Sequence, residues 1–408
     1  MNAVGIVVEY NPFHNGHLFH LEQAKKSSGC DVVIAVMSGP FLQRGEPALV
    51  SKWARTKMAL LAGVDIVIEL PYAFAVQKAD VFAYGAVSIL NAIGCQKICF
   101  GSELGEIDPF LNSVQFMKKN EEEYNQLLKQ YLKKGLSYPL AASKAFLNLK
   151  GENESIDLSK PNNILGFHYV KAVIEHKMPI EPMTIKRSQA DYHDEEFRSQ
   201  SIASATSIRK ALFSDGNMET IKAYVPNTTY ALLKQYEKQF KRFHSWELYW
   251  PYLKYRIFQA GADELKQIYD VEEGLENRII PAALHSRSFQ SFIEKVKTKR
   301  YTWTKLQRMA VHILTNTNTG QMEKRMKEPE YLRLLGMTEN GRKYLNKWKK
   351  NSPLPLISKL STYKGNEIDL DIRASRIYAL GLENKEQEEL LKMEYAQPPI
   401  YVEKTAQR

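Results

Sequence analysis

Cysteine is scarce in this chain: Cys30, Cys95 and Cys99 are the only three among 408 residues. An odd set without paired spacing builds neither a disulfide framework nor a zinc ribbon. It fits buried thiols in a reducing, cytoplasmic setting. No apolar run reaches eighteen residues, so a membrane-spanning helix is not expected. The first thirty residues read as a strand and a helix, which is not the pattern of a secretory leader. Also missing are Gly-x-x-x-x-Gly-Lys-Ser/Thr, the phosphate-loop motif, and a Gly-x-Gly-x-x-Gly after a strand, which argues against dinucleotide binding. There is no internal repeat and no low-complexity tract.

What is present is ample apolar material, 44% of the residues, enough for two domains. The net charge of +10 is unevenly spread. Residues 1–120 hold ten Lys/Arg and ten Asp/Glu, whereas residues 121–408 hold 46 and 36. A neutral first part joined to a basic second part points to a polyanionic partner for the latter.

The organising stretch is Val4–His20. An apolar, β-branched run from Ala3 to Val8 reads as a buried parallel strand. Asn11-Pro12 breaks it, because proline removes a donor and biases its predecessor away from helix. From Gly16, the spacing of Leu18, Leu21 and Ala24 opens a helix. Strand, tight turn and helix N-terminus together present free N–H groups and a positive dipole end to an anion. Gly16 permits close backbone approach. His14 and His17 lie three apart across the turn and can address the same phosphate. His14, His17 and His20 also have metal-ligand spacing, so zinc is the competing reading of this stretch.

Further strand-like runs follow at Asp31–Met37, Asp65–Leu70, Gln96–Phe100 and Pro182–Lys186. Helical patterns at Val50–Ala62 and Lys78–Ala92 stop at Gly63 and Gly94. This alternation predicts an α/β fold with a Rossmann-like, doubly wound parallel sheet. Ligands in such sheets lie beyond the C-terminal strand ends, near the switch in strand order. That rule selects Glu9–His17, Ser38–Glu46, Gly101–Glu103 and Arg187–Ser188. Residues 106–150 read as one or two inserted polar helices. Asn162 is a candidate N-cap near the site, and Arg187 can hold a phosphate bidentately. The polar loop Ala190–Asp194 is a further candidate contact.

Beyond Gly216 strand patterns fade, and helices are expected at Tyr230–Tyr236, Trp246–Phe258, Val271–Ile280, Ser288–Lys297 and Lys305–Leu314. The predicted division is residues 1–216, a nucleotide-binding catalytic domain with a helical insertion near 106–160, and residues 217–408, a mainly α-helical basic domain. Lys241 and Arg242 lie beside Phe240 and Phe243; Lys297, Lys299 and Arg300 lie beside Tyr301 and Trp303. Such interleaving suits RNA, with phosphates on the cations and unpaired bases on the rings. Arg342, Lys343, Lys347, Lys349 and Lys350 add a third basic cluster.

His14-Asn15-Gly16-His17 after a first strand resembles the His-x-Gly-His signature of the nucleotidyltransferases, which cleave ATP between its α- and β-phosphates. Ser204-Ala205-Thr206-Ser207-Ile208-Arg209, about 190 residues later, is similar to their second signature at a helix start. With Gly-Ile-Val-Val-Glu-Tyr-Asn-Pro-Phe-His-Asn-Gly-His and Ser-Gly-Pro-Phe-Leu-Gln-Arg-Gly-Glu-Pro, the whole chain resembles the bacterial tRNA(Met) cytidine acetate ligases.

The resemblance implies ATP as substrate, and acetate and elongator tRNA(Met) as partners; Mg²⁺ is the default expectation with ATP. His14, His17, Thr206 and Arg209 are the implied catalytic residues. The implied nucleotide contacts are Val7, Val8, Glu9, Tyr10, Asn11, Pro12, Phe13, Asn15, Gly16, His20, Gly101, Asn162, Arg187, Ser188 and Ser204. RNA contacts fall to Lys241, Arg242, Lys297, Lys299, Arg300 and Trp303, and no resident metal is expected. In-line attack on the α-phosphorus loads charge onto phosphate oxygens, so fixed donors are the main catalytic device. Acetate is already ionised at neutral pH and needs no base. Two other readings compete: a small-molecule adenylyltransferase of the same fold, and a non-catalytic RNA-binding protein.

Overall fold

The computed structural model describes residues 1–150, 156–187, 203–272 and 274–403. Five parallel strands form one end of its sheet: β1 (Ala3–Val8), β2 (Val32–Ser38), β3 (Ile66–Leu70), β4 (Lys97–Ser102) and β5 (Glu181–Lys186). Their spatial order is β5-β4-β1-β2-β3. The chain thus winds outward in both directions from β1, and the switch lies between β1 and β4. A crevice opens there, beyond the C-terminal strand ends.

Alternation along the strands feeds two cores. Val4, Ile6 and Val8 join Val33, Ala35 and Met37 on one face; Ala3 joins Val32, Ile34 and Val36 on the other. Helices α1 (Asn15–Ser28) and α2 (Lys52–Ala62) cover the first face through Leu21, Ala24, Trp53 and Met58. Helices α3 (Ala79–Ala92) and α4 (Pro161–Glu175) cover the second through Phe82, Val87, Leu90, Phe167 and Val170. Each such side chain contributes about 1.5–3 kcal/mol on leaving water, so the two stripes fix the strand register. The helix stops follow the sequence, with Gly63 at φ 111° and Gly94 at φ 82°.

The insertion contains three helices, Asp108–Lys119, Glu121–Lys133 and Tyr138–Lys150, rather than one or two. Asn120 closes the first and opens the second, where Glu121–Glu123 suit the positive end of the new dipole. Gly135 at φ 79° provides the next turn.

Past residue 216 the described elements are mostly helical, as expected, but strands do not fade altogether. β6 (Leu332–Thr338) pairs antiparallel with β3, Ile66 facing Met337, and carries β7 (Leu356–Ile357) and β8 (Ile400–Val402) as parallel neighbours. The sheet is therefore mixed and eight-stranded. β6 escapes pattern reading because both its faces are buried, which removes the period-2 alternation. A Cβ on Gly336 would lie 2.7 Å from the Thr56 methyl, so the close packing of β6 on α2 needs glycine. One continuous core joins the β1 face to Leu253, Ile257, Phe292, Leu306 and Ala374. The boundary at 216 marks a change in composition, while sheet and core run across it. Buried Lys52 makes ion pairs with Glu69 (2.8 Å) and Glu394 (2.9 Å), tying the last long helix to α2 and β3. Among the described residues no helix is long and apolar enough to cross a membrane.

Candidate active site at the end of the first strand

Leaving β1, the chain passes Glu9 and Tyr10 into a cis Asn11-Pro12 bond and enters α1. Tyr10 is held at φ 53°, a left-handed conformation that costs a non-glycine residue about 1–3 kcal/mol and is tolerated where surroundings fix it. Its ring lies 4.6 Å from Phe13 and 5.0 Å from His17.

His14 caps α1. Its Nδ1 accepts the Gly16 N–H at 3.1 Å, and its own N–H is donated to His17 Nδ1 at 3.3 Å. The two rings stack at 3.7 Å. With each Nδ1 occupied as an acceptor, the proton of each neutral ring belongs on Nε2. Burial first, then the Arg187 and Arg209 charges, push the His14 pKa down to about 3. His17 is lowered well below the usual histidine range by burial, with His14, Arg187 and His20 adding to it and the Pro12 carbonyl opposing. His20 is pushed to about 4 by burial and Arg187. The turn therefore offers neutral N–H donors. Among the described residues no three His, Cys, Asp or Glu side chains are grouped to hold a metal ion.

The second signature arrives from the far side. Ser204 caps α5 (Ala205–Asp215), its Oγ accepting the Ser207 N–H at 3.0 Å. One turn on, Arg209 donates from Nη1 to the Asn11 carbonyl (2.9 Å) and from Nη2 to Glu46 (2.7 Å). Thr206 is partly exposed in the first turn of the same helix. Asn15 Nδ2 reaches the Ala223 carbonyl at 2.9 Å. Segments 190 residues apart in sequence thus meet at one turn.

On the β4 side, Gly101 lies within the strand, and a Cβ there would sit 3.1 Å from Arg187 Cγ and 3.7 Å from His20 Cδ2. Arg187 donates to Asn162 Oδ1 (3.1 Å), whose Nδ2 donates to Glu103 (2.7 Å). Asn162 is not the helix cap expected from sequence. Lys160 takes that position and Pro161 opens α4, which frees the Asn162 amide for these contacts. Val7 and Val8 belong to β1 itself. Ser188 and Ala190–Asp194 lie outside the described residues. Among the described residues of the turn and α1, the buried atoms Tyr10 Oη, Asn11 Nδ2 and His20 Nε2 lack partners.

Sequence reasoning missed Arg55, which is fully buried. It donates to the carbonyls of Glu9 (2.7 Å), Ser38 (2.9 Å) and Gly39 (2.6 Å), binding the ends of β1 and β2 together. Its signal was a cation among Trp53, Met58 and Ala59. The Ser38–Glu46 loop is further held by the Gln43 N–H on Glu9 Oε1 (2.8 Å) and by Trp246 Nε1 on the Gly45 carbonyl (2.8 Å).

Residues 1–392 match the HIGH nucleotidyl transferase family. The chain is 52% identical over 402 residues to a tRNA(Met) cytidine acetate ligase of Geobacillus sp. (strain WCH70), covering 98% of this chain and 100% of that one. It is also 52% identical over 404 residues to the enzyme of that name from Bacillus subtilis (strain 168), covering 98% and 97%. The chain belongs to the tRNA(Met) cytidine acetate ligase family. Its fold matches the crystal structure of apo Thermotoga maritima TmcAL with a TM-score of 0.92 at 35% identity, covering 99% of this chain and all of that one. The match to the form bound with alpha-thio ATP has a TM-score of 0.90 at 34% identity, with the same coverage.

The basic residues of this family member lie elsewhere, on the surface. Lys241 ends the helix Asn227–Phe240 at φ 65°, exposed, and Arg242 pairs with Glu383 at 2.8 Å. Lys297, Lys299 and Arg300 are exposed, and Trp303 is partly buried at the start of the helix Trp303–Leu314. Lys297, Lys299 and Trp303 line a cleft of about 740 Å³ together with Ser137, which lies just before the third inserted helix.

Proposed function

We propose that this enzyme activates acetate with ATP, releasing pyrophosphate, and passes the acetyl group from acetyl-adenylate to N4 of the wobble cytidine of elongator tRNA(Met). The observation that carries this reading is the meeting of Arg209 with the carbonyl of Asn11, beside the stacked His14 and His17. That contact joins both nucleotide signatures at the switch point, in a chain half identical to acetate ligases over its whole length.

ATP enters as its magnesium complex, with the metal travelling on the phosphates. His14 and His17 donate from Nε2 to phosphate oxygens, and the N-terminus of α1 adds backbone donors with Gly16 giving clearance. Ser204, Thr206 and Arg209 hold the departing pyrophosphate, while Arg187 and Asn162 hold the nucleotide over Gly101. Because these donors are oriented before substrate arrives, the developing charge meets them without reorganisation; losing one costs on the order of 100-fold in rate. The tRNA lies across the basic surface with Lys297, Lys299, Arg300, Lys241 and Arg242 on phosphates. Trp303 is the stacking surface for an unpaired anticodon-loop base.

The test is ATP–pyrophosphate exchange without tRNA, with and without acetate. Acetate-dependent exchange followed by N4-acetylcytidine in digested tRNA is the expected result. Exchange that ignores acetate and tRNA alike returns the small-molecule adenylyltransferase reading.

A further inference from the structure

The second step needs a proton acceptor. The exocyclic amine of cytidine is a weak nucleophile whose lone pair is delocalised into the ring, and it sheds a proton as it attacks. The three imidazoles of the turn are poorly suited, since burial holds His14 near 3 and His20 near 4, and the Nδ1 atoms of His14 and His17 already accept N–H groups. Glu46 is engaged by Arg209 at 2.7 Å. Glu103 is held by Asn162 Nδ2 at 2.7 Å, which leaves Glu9 among the described carboxylates at the crevice.

Glu9 is the first residue beyond β1, at the switch in strand order. One of its oxygens is oriented by the Gln43 N–H at 2.8 Å. The residue is partly exposed at the C-terminal end of β1. A carboxylate is a poor companion for a triphosphate, so its presence in the nucleotide signature calls for another use. Gly101, Arg187 and Asn162 place the nucleotide on the β4 side of β1, whereas Glu9 turns to the loop that follows β2.

We infer that the Glu9 carboxylate is the general base for acetyl transfer, an assignment that rests on the acetyl-adenylate reading above. The N4 lone pair forms a bond to the acetyl carbonyl carbon, and the bond from that carbon to the adenylate oxygen breaks. AMP leaves with the electron pair, and the N4 proton passes to Glu9, which later releases it to water. Burial raises the Glu9 carboxyl above its usual range, toward the values at which a base works well near neutral pH. The charged and titratable groups facing it are Glu46, which adds to that rise, and Arg44, Arg209 and Arg55, which oppose it, with Tyr169 nearby.

The experiment compares wild type, Glu9→Gln and Glu9→Asp in two assays on full-length enzyme. The first is acetate-dependent ATP–pyrophosphate exchange. The second is N4-acetylcytidine formation from chemically prepared acetyl-adenylate and tRNA(Met), which bypasses activation. Glutamine keeps the acceptor for the Gln43 N–H, so the loop contact survives. The expected result for Glu9→Gln is a loss of at least about 100-fold in transfer, at least about tenfold beyond any loss in exchange. Glu9→Asp should recover part of the transfer, and the acidic limb of the wild-type transfer profile should vanish in Glu9→Gln. Parallel losses in both assays, or undiminished transfer, overturn the assignment. Absence of acetate-dependent exchange in the wild type instead overturns the reading beneath it.

Discussion

The turn after β1 and the stretch from Lys297 to Trp303 are both rich in groups that bind phosphate, yet they are built in opposite ways. At the turn, donors are desolvated and held: His14 by Gly16, His17 by His14, and Arg209 by Asn11 and Glu46. At the other stretch, Lys297, Lys299 and Arg300 stand in solvent. Fixed donors in a low-dielectric site stabilise charge that appears only during reaction, whereas solvated cations gain most from releasing counterions along a polyanion. One surface is shaped for chemistry on a single phosphorus atom, the other for holding a long substrate.

Breaking this contrast at its strong end should have the largest effect. Arg209→Ala removes a donor and leaves Glu46 unpaired, so acetate-dependent pyrophosphate exchange should fall by about 100-fold or more. At the other surface, a triple Lys297→Ala, Lys299→Ala, Arg300→Ala variant should lose tRNA affinity far more than exchange activity. Its plot of log affinity against log salt should flatten by about 2, which filter binding at several salt concentrations would show.

Acid should distinguish the regions again. His14, His20, His244 and His312 are held near 3 to 4 by burial. Below about pH 6.5 the unfolded chain takes up protons that the folded one refuses, so stability falls as pH drops, by up to about 1.4 kcal/mol per unit for each group, until the folded values are reached. Melting temperatures measured from pH 7.5 to 5 should therefore decline steadily; a flat profile would contradict the desolvated turn. The smallest effect belongs to the exposed Arg242–Glu383 pair, where Arg242→Ala should cost only about 0.2–1 kcal/mol in denaturant melts.

The legible parts of the sequence were those whose cause is local. β1 to β4 are apolar runs that the sheet largely buries, and α2 and α3 stop at glycines of positive φ, whereas β5 is a partly exposed edge strand. The histidine pair and the helix start at Ser204 were legible because a turn and a helix start are short-range events. β6 was not, since it becomes a strand only by pairing with β3, and its Arg333 and Gly336 argue against a strand until that partner is in place. The Arg209–Glu46 and Arg187–Asn162–Glu103 contacts were hidden for the same reason: each residue was in view, but which one it would touch is decided by the folded sheet. Arg55 drew no reading from the sequence, because its carbonyl partners at Glu9, Ser38 and Gly39 come from two strand ends.

The pairing of β6 with β3 also has a consequence for how the chain comes off the ribosome. When residue 216 has emerged, both signature segments exist, but the outer edge of β3 still has no neighbour. Ile66, Val67 and Ile68 then present unpaired backbone groups and apolar side chains until residues beyond 330 are made. An open edge of that kind invites pairing with the wrong chain, and a long-range antiparallel match is slow to form. During synthesis this protein is therefore most exposed to aggregation at mid-chain, and a nascent chain stalled before Leu332 should be the form that chaperones hold.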